Sequence, residues 1–147
     1  MQCFDCEEKD YEIANRLCTD LLSDLGVSAG ASVLDIIKTA YKRFPHETEI
    51  NGDMLEGITE RGEIVVFDYP SPNHKKKLQV RDVEWIRIEG YAGKGGEDYN
   101  GAYIMYTYLH LNEDRTAVDL NTIQFDYYPN PDTDDYVDSV CYRDCVK

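Results

Sequence analysis

Apolar positions fall first into two helical stripes and then into alternating, strand-like runs. Ala14, Leu17, Cys18, Leu21 and Leu25 recur at three-four spacing, the signature of one helix face. Gly26 follows as a C′ glycine that ends the helix. A second helix is predicted from Ser32, an N-cap residue with Asp35 three positions on in capping-box position. Its apolar face is Val33, Ile36, Ile37, Ala40, Tyr41 and Phe44. Lys38, Lys42 and Arg43 crowd toward the C-terminal half, as the helix dipole favours, and Pro45 stops it.

Residues 46–61 are polar, with a turn signal at Asn51-Gly52. After them the period shortens to two. Residues 63–69 read as a strand, Pro70-Ser71-Pro72-Asn73 as a turn, and residues 78–89 as a second strand. Within the second, Val83 and Trp85 alternate with charges, and then Ile86 and Ile88 do, so a bulge is expected between Trp85 and Ile86. Past a glycine-rich loop, residues 103–111 and 116–127 read as a hairpin across Asn112-Glu113-Asp114-Arg115. Strands joined by turns without crossover helices pair antiparallel.

The expected fold is α+β, one domain over residues 1–147: two N-terminal helices (about 9–44) on a four-stranded, mainly antiparallel sheet (about 62–128), with an acidic C-terminal tail (129–147). Both alternating sets of residues 103–111 carry large groups: Tyr103, Met105 and Leu109 on one side, Ile104, Tyr106 and Tyr108 on the other. The face away from the helices is therefore expected to be covered, by the chain's own segments or by a partner.

Charge changes this picture most. Asp and Glu number 29 against 15 Lys and Arg, a net of -14 over 147 residues. Residues 1–30 carry -5, residues 45–70 carry -6 and residues 97–147 carry -8, whereas 31–44 and 71–96 are slightly basic. A field of this sign repels nucleic acid and anionic membrane and attracts basic surfaces. The 12% aromatic content marks a folded chain rather than an acidic disordered tail. No run is apolar enough to cross a bilayer, and residues 1–8 lack the basic start and apolar stretch of a secretory leader, so a soluble, cytoplasmic protein is expected.

Candidate chemistry is sparse. Cys3 and Cys6 form a C-x2-C, and Cys141 and Cys145 a C-x3-C at the other end. Four thiolates so spaced could hold a structural zinc joining the termini, but free thiols in a reducing compartment, with no cofactor, are the expected state. No other cofactor is expected. Cys18 belongs to the helix core. The loop Gly93-Lys94-Gly95-Gly96-Glu97-Asp98 fails the phosphate-binding pattern, since two acids follow its glycines. His46, His74 and His110 are far apart in sequence, and no nucleophile motif is present, so an enzyme is not expected. Lys75-Lys76-Lys77 is the one basic run and reads as a solvated turn that shields a sheet edge. Asp132-Thr133-Asp134-Asp135 lacks the glycine and closing glutamate of a calcium loop.

Eight of the twelve tyrosines fall in residues 97–147, interleaved with acids. Tyrosine supplies rigid area with a hydroxyl, and closely spaced carboxylates imitate a phosphate backbone. The candidate partner-binding residues are Glu97, Asp98, Tyr99, Asp126, Tyr127, Tyr128, Asp132, Asp134, Asp135, Tyr136 and Asp138. The expected function is an acidic protein-binding inhibitor, a nucleic-acid mimic that occludes the basic cleft of a nucleic-acid-processing enzyme, without binding nucleic acid or membrane itself. In composition and size alone the chain is similar to small acidic proteins of phages and mobile elements that inhibit CRISPR effectors, restriction enzymes and uracil-DNA glycosylase. No motif assigns it to one of those families. The alternatives are an immunity or adaptor module that binds a protein by shape, and a small enzyme of unknown chemistry.

Overall fold

The structure is a computed structural model that describes the backbone of residues 2–4, 8–68, 71–89, 104–128 and 136–141. Helix α1 spans Glu8–Leu25. It closes with a Schellman motif: the Val27 N–H donates to the Leu22 carbonyl (2.9 Å) and the Gly26 N–H to Ser23 (3.1 Å). Gly26 takes φ +73°, the left-handed conformation that glycine reaches without a Cβ penalty. Helix α2 spans Val33–Arg43, and the Ser32 hydroxyl accepts the Asp35 N–H at 3.3 Å as its N-cap. The predicted faces are buried, with one exception: Tyr41 is 39% exposed and turns out of the α2 stripe.

Among the described residues the sheet has nine strands, not four: β1 Gln2–Phe4, β2 Thr48–Ile50, β3 Asp53–Ile58, β4 Ile64–Asp68, β5 Ser71–Leu78, β6 Trp85–Glu89, β7 Ile104–His110, β8 Ile123–Tyr128 and β9 Tyr136–Cys141. Their order is β1-β9-β8-β7-β6-β2-β3-β4-β5, and every pairing is antiparallel. The α+β class stands. The extra strands come from segments whose polar composition hides them. Residues 46–61 hold β2 and β3, joined at Asn51-Gly52, where φ of +54° and +92° gives the turn whose twist matches a tight hairpin.

Three further expectations are corrected. Lys75-Lys76-Lys77 lies on β5, the edge strand, not in a turn. An edge strand tolerates the proline and lysines of Ser71–Leu78, because one row of its backbone groups faces water. Residues 78–89 are not one strand with a bulge: a 3₁₀ turn at Val80–Asp82 separates β5 from β6 and changes which face the side chains point to. A bulge does occur, between Leu55 and Gly57 of β3, so that Glu56 is the extra residue. The expected tail contributes β9, which sits inside the sheet between β8 and β1.

The helices lie on one face. α1 packs toward β9, α2 toward β3, and the two touch each other. Ile50, Ile86, Ile88, Leu109, Phe125 and Tyr127 point into that layer and are inaccessible or nearly so. The intervening residues, Glu49, Trp85, Arg87, Tyr106, Tyr108 and Asp126 among them, alternate to the opposite face, on which no described helix packs.

Candidate functional site

The face opposite the helices gathers the sheet's aromatic and charged side chains into rows set by strand register. Trp85 of β6 faces His110 of β7. One step along, Glu49 of β2, Arg87, Tyr108 and Gln124 of β8 form a continuous cross-strand row. In the next, Glu89 faces Tyr106 and Tyr106 faces Asp126, whose backbone partner on β9 is Asp138. Directly opposed residues in such rows are close enough to interact.

Trp85 is fixed by residues distant in sequence. The Asn51 side-chain oxygen accepts the backbone N–H of Glu84 (2.7 Å) and of Trp85 (3.1 Å), and its amide donates to the Asp82 carbonyl (2.8 Å). The Asn51 N–H donates to the Trp85 carbonyl. Arg115 clamps the same segment, donating to the Val83 carbonyl (3.0 Å) and to Glu84 Oε1 (3.1 Å). A turn residue and a loop arginine thus hold the strand entry that presents the indole.

The rings are mutually packed. Trp85 and Tyr108 lie 6.4 Å apart at 48°, and Tyr106 meets Tyr128 edge-on at 6.1 Å. The Arg87 guanidinium sits 4.3 Å from the Tyr106 ring centre and 5.9 Å from that of Tyr108. It donates to Glu49 and lies 3.8 Å from Glu89. Burial opposes its charge, but the bonds to Tyr108 and Glu49 outweigh that, and its pKa is raised. Beside this cluster a groove of about 460 Å³ is lined by Trp85, Tyr108, His110, Gln124 and Asp126.

The sequence-predicted site residues separate. Asp126 and Tyr128 lie on this face, half-buried. Tyr127 does not: it is 0% exposed in the core, because β8 alternates and its odd-numbered positions face the helices. It is withdrawn from the binding set. Asp138 and Tyr136 lie on β9, Asp138 opposite Asp126. Glu97, Asp98, Tyr99, Asp132, Asp134 and Asp135 lie outside the described residues.

In the backbone register Cys3 pairs with Val137 and Cys141 with Ile123. Cys6 and Cys145 lie outside the described residues. Among the described residues no group of three His, Cys, Asp or Glu side chains is placed to hold a metal. Cys18 is buried on α1, which pushes its thiol up to about 12.

The basic run is tied down: Lys75 pairs with Glu56 (2.6 Å) and Lys76 with Asp53 (2.8 Å), a hydrogen bond that raises the Lys76 pKa. Sequence reasoning missed Trp85, Arg87, Glu49 and Glu89 as site residues. The signal was present in the period-two run Trp85, Arg87, Glu89 and its counterpart Tyr106, Tyr108, His110, both too polar for a core yet too aromatic for a plain solvent face. No helix of the described chain is long and apolar enough to cross a membrane. No protein-family model, no curated protein and no solved structure matches the chain.

Proposed function

We propose that this protein is a non-catalytic binding protein that docks its aromatic, acidic sheet face on a basic protein surface, and that it inhibits a nucleic-acid-processing enzyme by occupying the cleft meant for nucleic acid. The observation that carries the reading is the composition of one face. Trp85, Tyr106, Tyr108 and Tyr128 stand among Glu49, Glu89 and Asp126, in a chain of net charge -14. Tryptophan, tyrosine and arginine are the residue types that dominate protein–protein binding energy, and Arg87 lies at the centre of the cluster. The surrounding carboxylates steer a basic partner in and repel nucleic acid.

The test is competition. Immobilised protein should retain a basic nucleic-acid-binding enzyme from host extract at low salt and release it as salt rises, through screening. The retained enzyme should lose affinity for nucleic acid in proportion to the protein added. Undiminished nucleic-acid binding by the complex defeats occlusion. The aromatic cluster also supports a second reading, an immunity or adaptor module that binds by shape. Ionic strength separates the two: affinity falls steeply with added salt if charge drives docking and stays nearly unchanged if shape does.

A further inference from the structure

We infer that the groove beside Trp85 is a receptor for a guanidinium group, an arginine side chain presented by the partner. The inference rests on the docking face proposed above and names what that face recognises. The chain itself supplies the template. Arg87 shows how this surface holds a guanidinium: over the Tyr106 ring, 4.3 Å from its centre, donating to the Glu49 carboxylate with that of Glu89 3.8 Å away. The adjacent groove offers related parts, with one carboxylate in place of two and His110 on its wall. Trp85 and Tyr108 give it two tilted rings, Asp126 gives it a carboxylate, and Gln124 gives it an amide at an exposed position.

Chemistry favours arginine over other occupants. Indole has the most attractive face for a cation, and a planar guanidinium stacks on rings while its edge donates to a carboxylate. A lysine ammonium is a compact, strongly hydrated charge that gains less from stacking. A volume of about 460 Å³ accommodates a side chain and its bound water but is far too small for a folded element. Charge complementarity is given by the net -14 of the chain.

Trp85 is the chain's one tryptophan, so its fluorescence reports on the groove directly. The full-length protein is titrated with the blocked tripeptide acetyl-Gly-Arg-Gly-amide and with its lysine and citrulline counterparts, at fixed ionic strength. The arginine peptide should give a saturable change near ~1 mM, typical of a single side chain. The lysine peptide should bind several-fold more weakly, and citrulline, which keeps the shape without the charge, should give no saturable change. Asp126→Asn should weaken the arginine peptide about tenfold, the equivalent of ~1.4 kcal/mol. Tyr108→Ala should abolish its binding, and Gln124→Lys, at an exposed position, keeps the test independent of whether Tyr108→Ala folds, because a fixed cation at the groove should also block it. Equal responses to arginine and lysine, or an arginine response untouched by Asp126→Asn and Gln124→Lys, overturns the inference. If the peptide fails while salt-sensitive capture of a basic enzyme persists, the groove is wrong and the docking face stands. If the peptide binds while no enzyme is displaced from nucleic acid, the groove stands and inhibition by occlusion falls.

Discussion

The side-chain oxygen of Asn51 accepts the backbone N–H of Trp85 at 3.1 Å, across 34 residues of sequence. Asn51 is also the first turn residue of the β2–β3 hairpin, at φ +54°, and its neighbour Gly52 lies against the Trp85 indole. One residue therefore closes a hairpin, binds the start of β6 and orients the only tryptophan. Asn51→Gly keeps the left-handed turn and removes the side-chain bonds; it should destabilise by about 1–2 kcal/mol. Asn51→Ala adds the cost of a left-handed non-glycine residue, about 1–2 kcal/mol more. Urea unfolding followed by Trp85 emission checks both, and a native emission spectrum that stays unchanged would contradict the orienting role.

Adjacent tyrosines on β8 should behave in opposite ways. Tyr127 is enclosed by the core and Tyr128 stands on the other face against Tyr106. Tyr127→Ala should cost about 3–5 kcal/mol, the usual loss for a buried aromatic. Tyr128→Ala should cost about 1 kcal/mol, close to the worth of an aromatic pair, and weaken partner binding while the fold persists. Thermal melts beside binding titrations separate the effects. A Tyr127→Ala protein that melts like the parent would disprove the assignment of faces.

Those two residues also show what was legible in the sequence. Both helices, the Gly26 stop and the Ser32 cap could be read because each rests on local spacing and local hydrogen bonds. The strands carrying β-branched and aromatic alternation, β4 and β7, were within reach for the same reason, whereas of the run 116–127 only the part from Ile123 on is strand, β8. Those set by long-range pairing were not. β5 is Ser71–Leu78, whose proline and lysines argue against a strand until its place at the sheet edge is known. β9 is fixed by pairing with β8 and β1, which its acidic composition does not announce. At the site, charge identified the sign of the surface, but register decided its membership: it placed Trp85 and Arg87 beside Tyr108 and turned Tyr127 inward.

The Glu49–Arg87 pair bridges β2 and β6 in the middle of the sheet, with side chains about one-fifth exposed. Its partial burial and the ring contacts of Arg87 should lift its worth above that of a free surface pair. A double-mutant cycle with Glu49→Gln and Arg87→Gln should give a coupling near 1 kcal/mol, at the top of the range for exposed pairs. Arg87→Gln alone should cost more than Glu49→Gln, because it also removes the cation over Tyr106 and takes from Glu49 and Glu89 the cation they share. A coupling indistinguishable from zero would mean that the arginine is held by the rings and not by the acids.

Glu47 gives the sheet a pH dependence of its own. Burial raises its pKa, the nearby Glu89 carboxylate raises it further, and His46 offsets part of the rise. The folded state therefore favours the protonated form more than the unfolded chain does, and folding takes up protons. This contribution to stability is fully present below the ordinary glutamate range and is lost as the pH rises through the raised folded value. Glu47→Gln fixes the neutral form. It should raise stability at pH 7, by up to about 0.5 kcal/mol for so accessible a group. It should flatten the fall in stability between the ordinary glutamate pKa and the raised one. Denaturation midpoints of the parent and the variant, compared from acid to neutral pH, give the difference directly. If the two curves run parallel across that range, the strain attributed to Glu47 and Glu89 is absent.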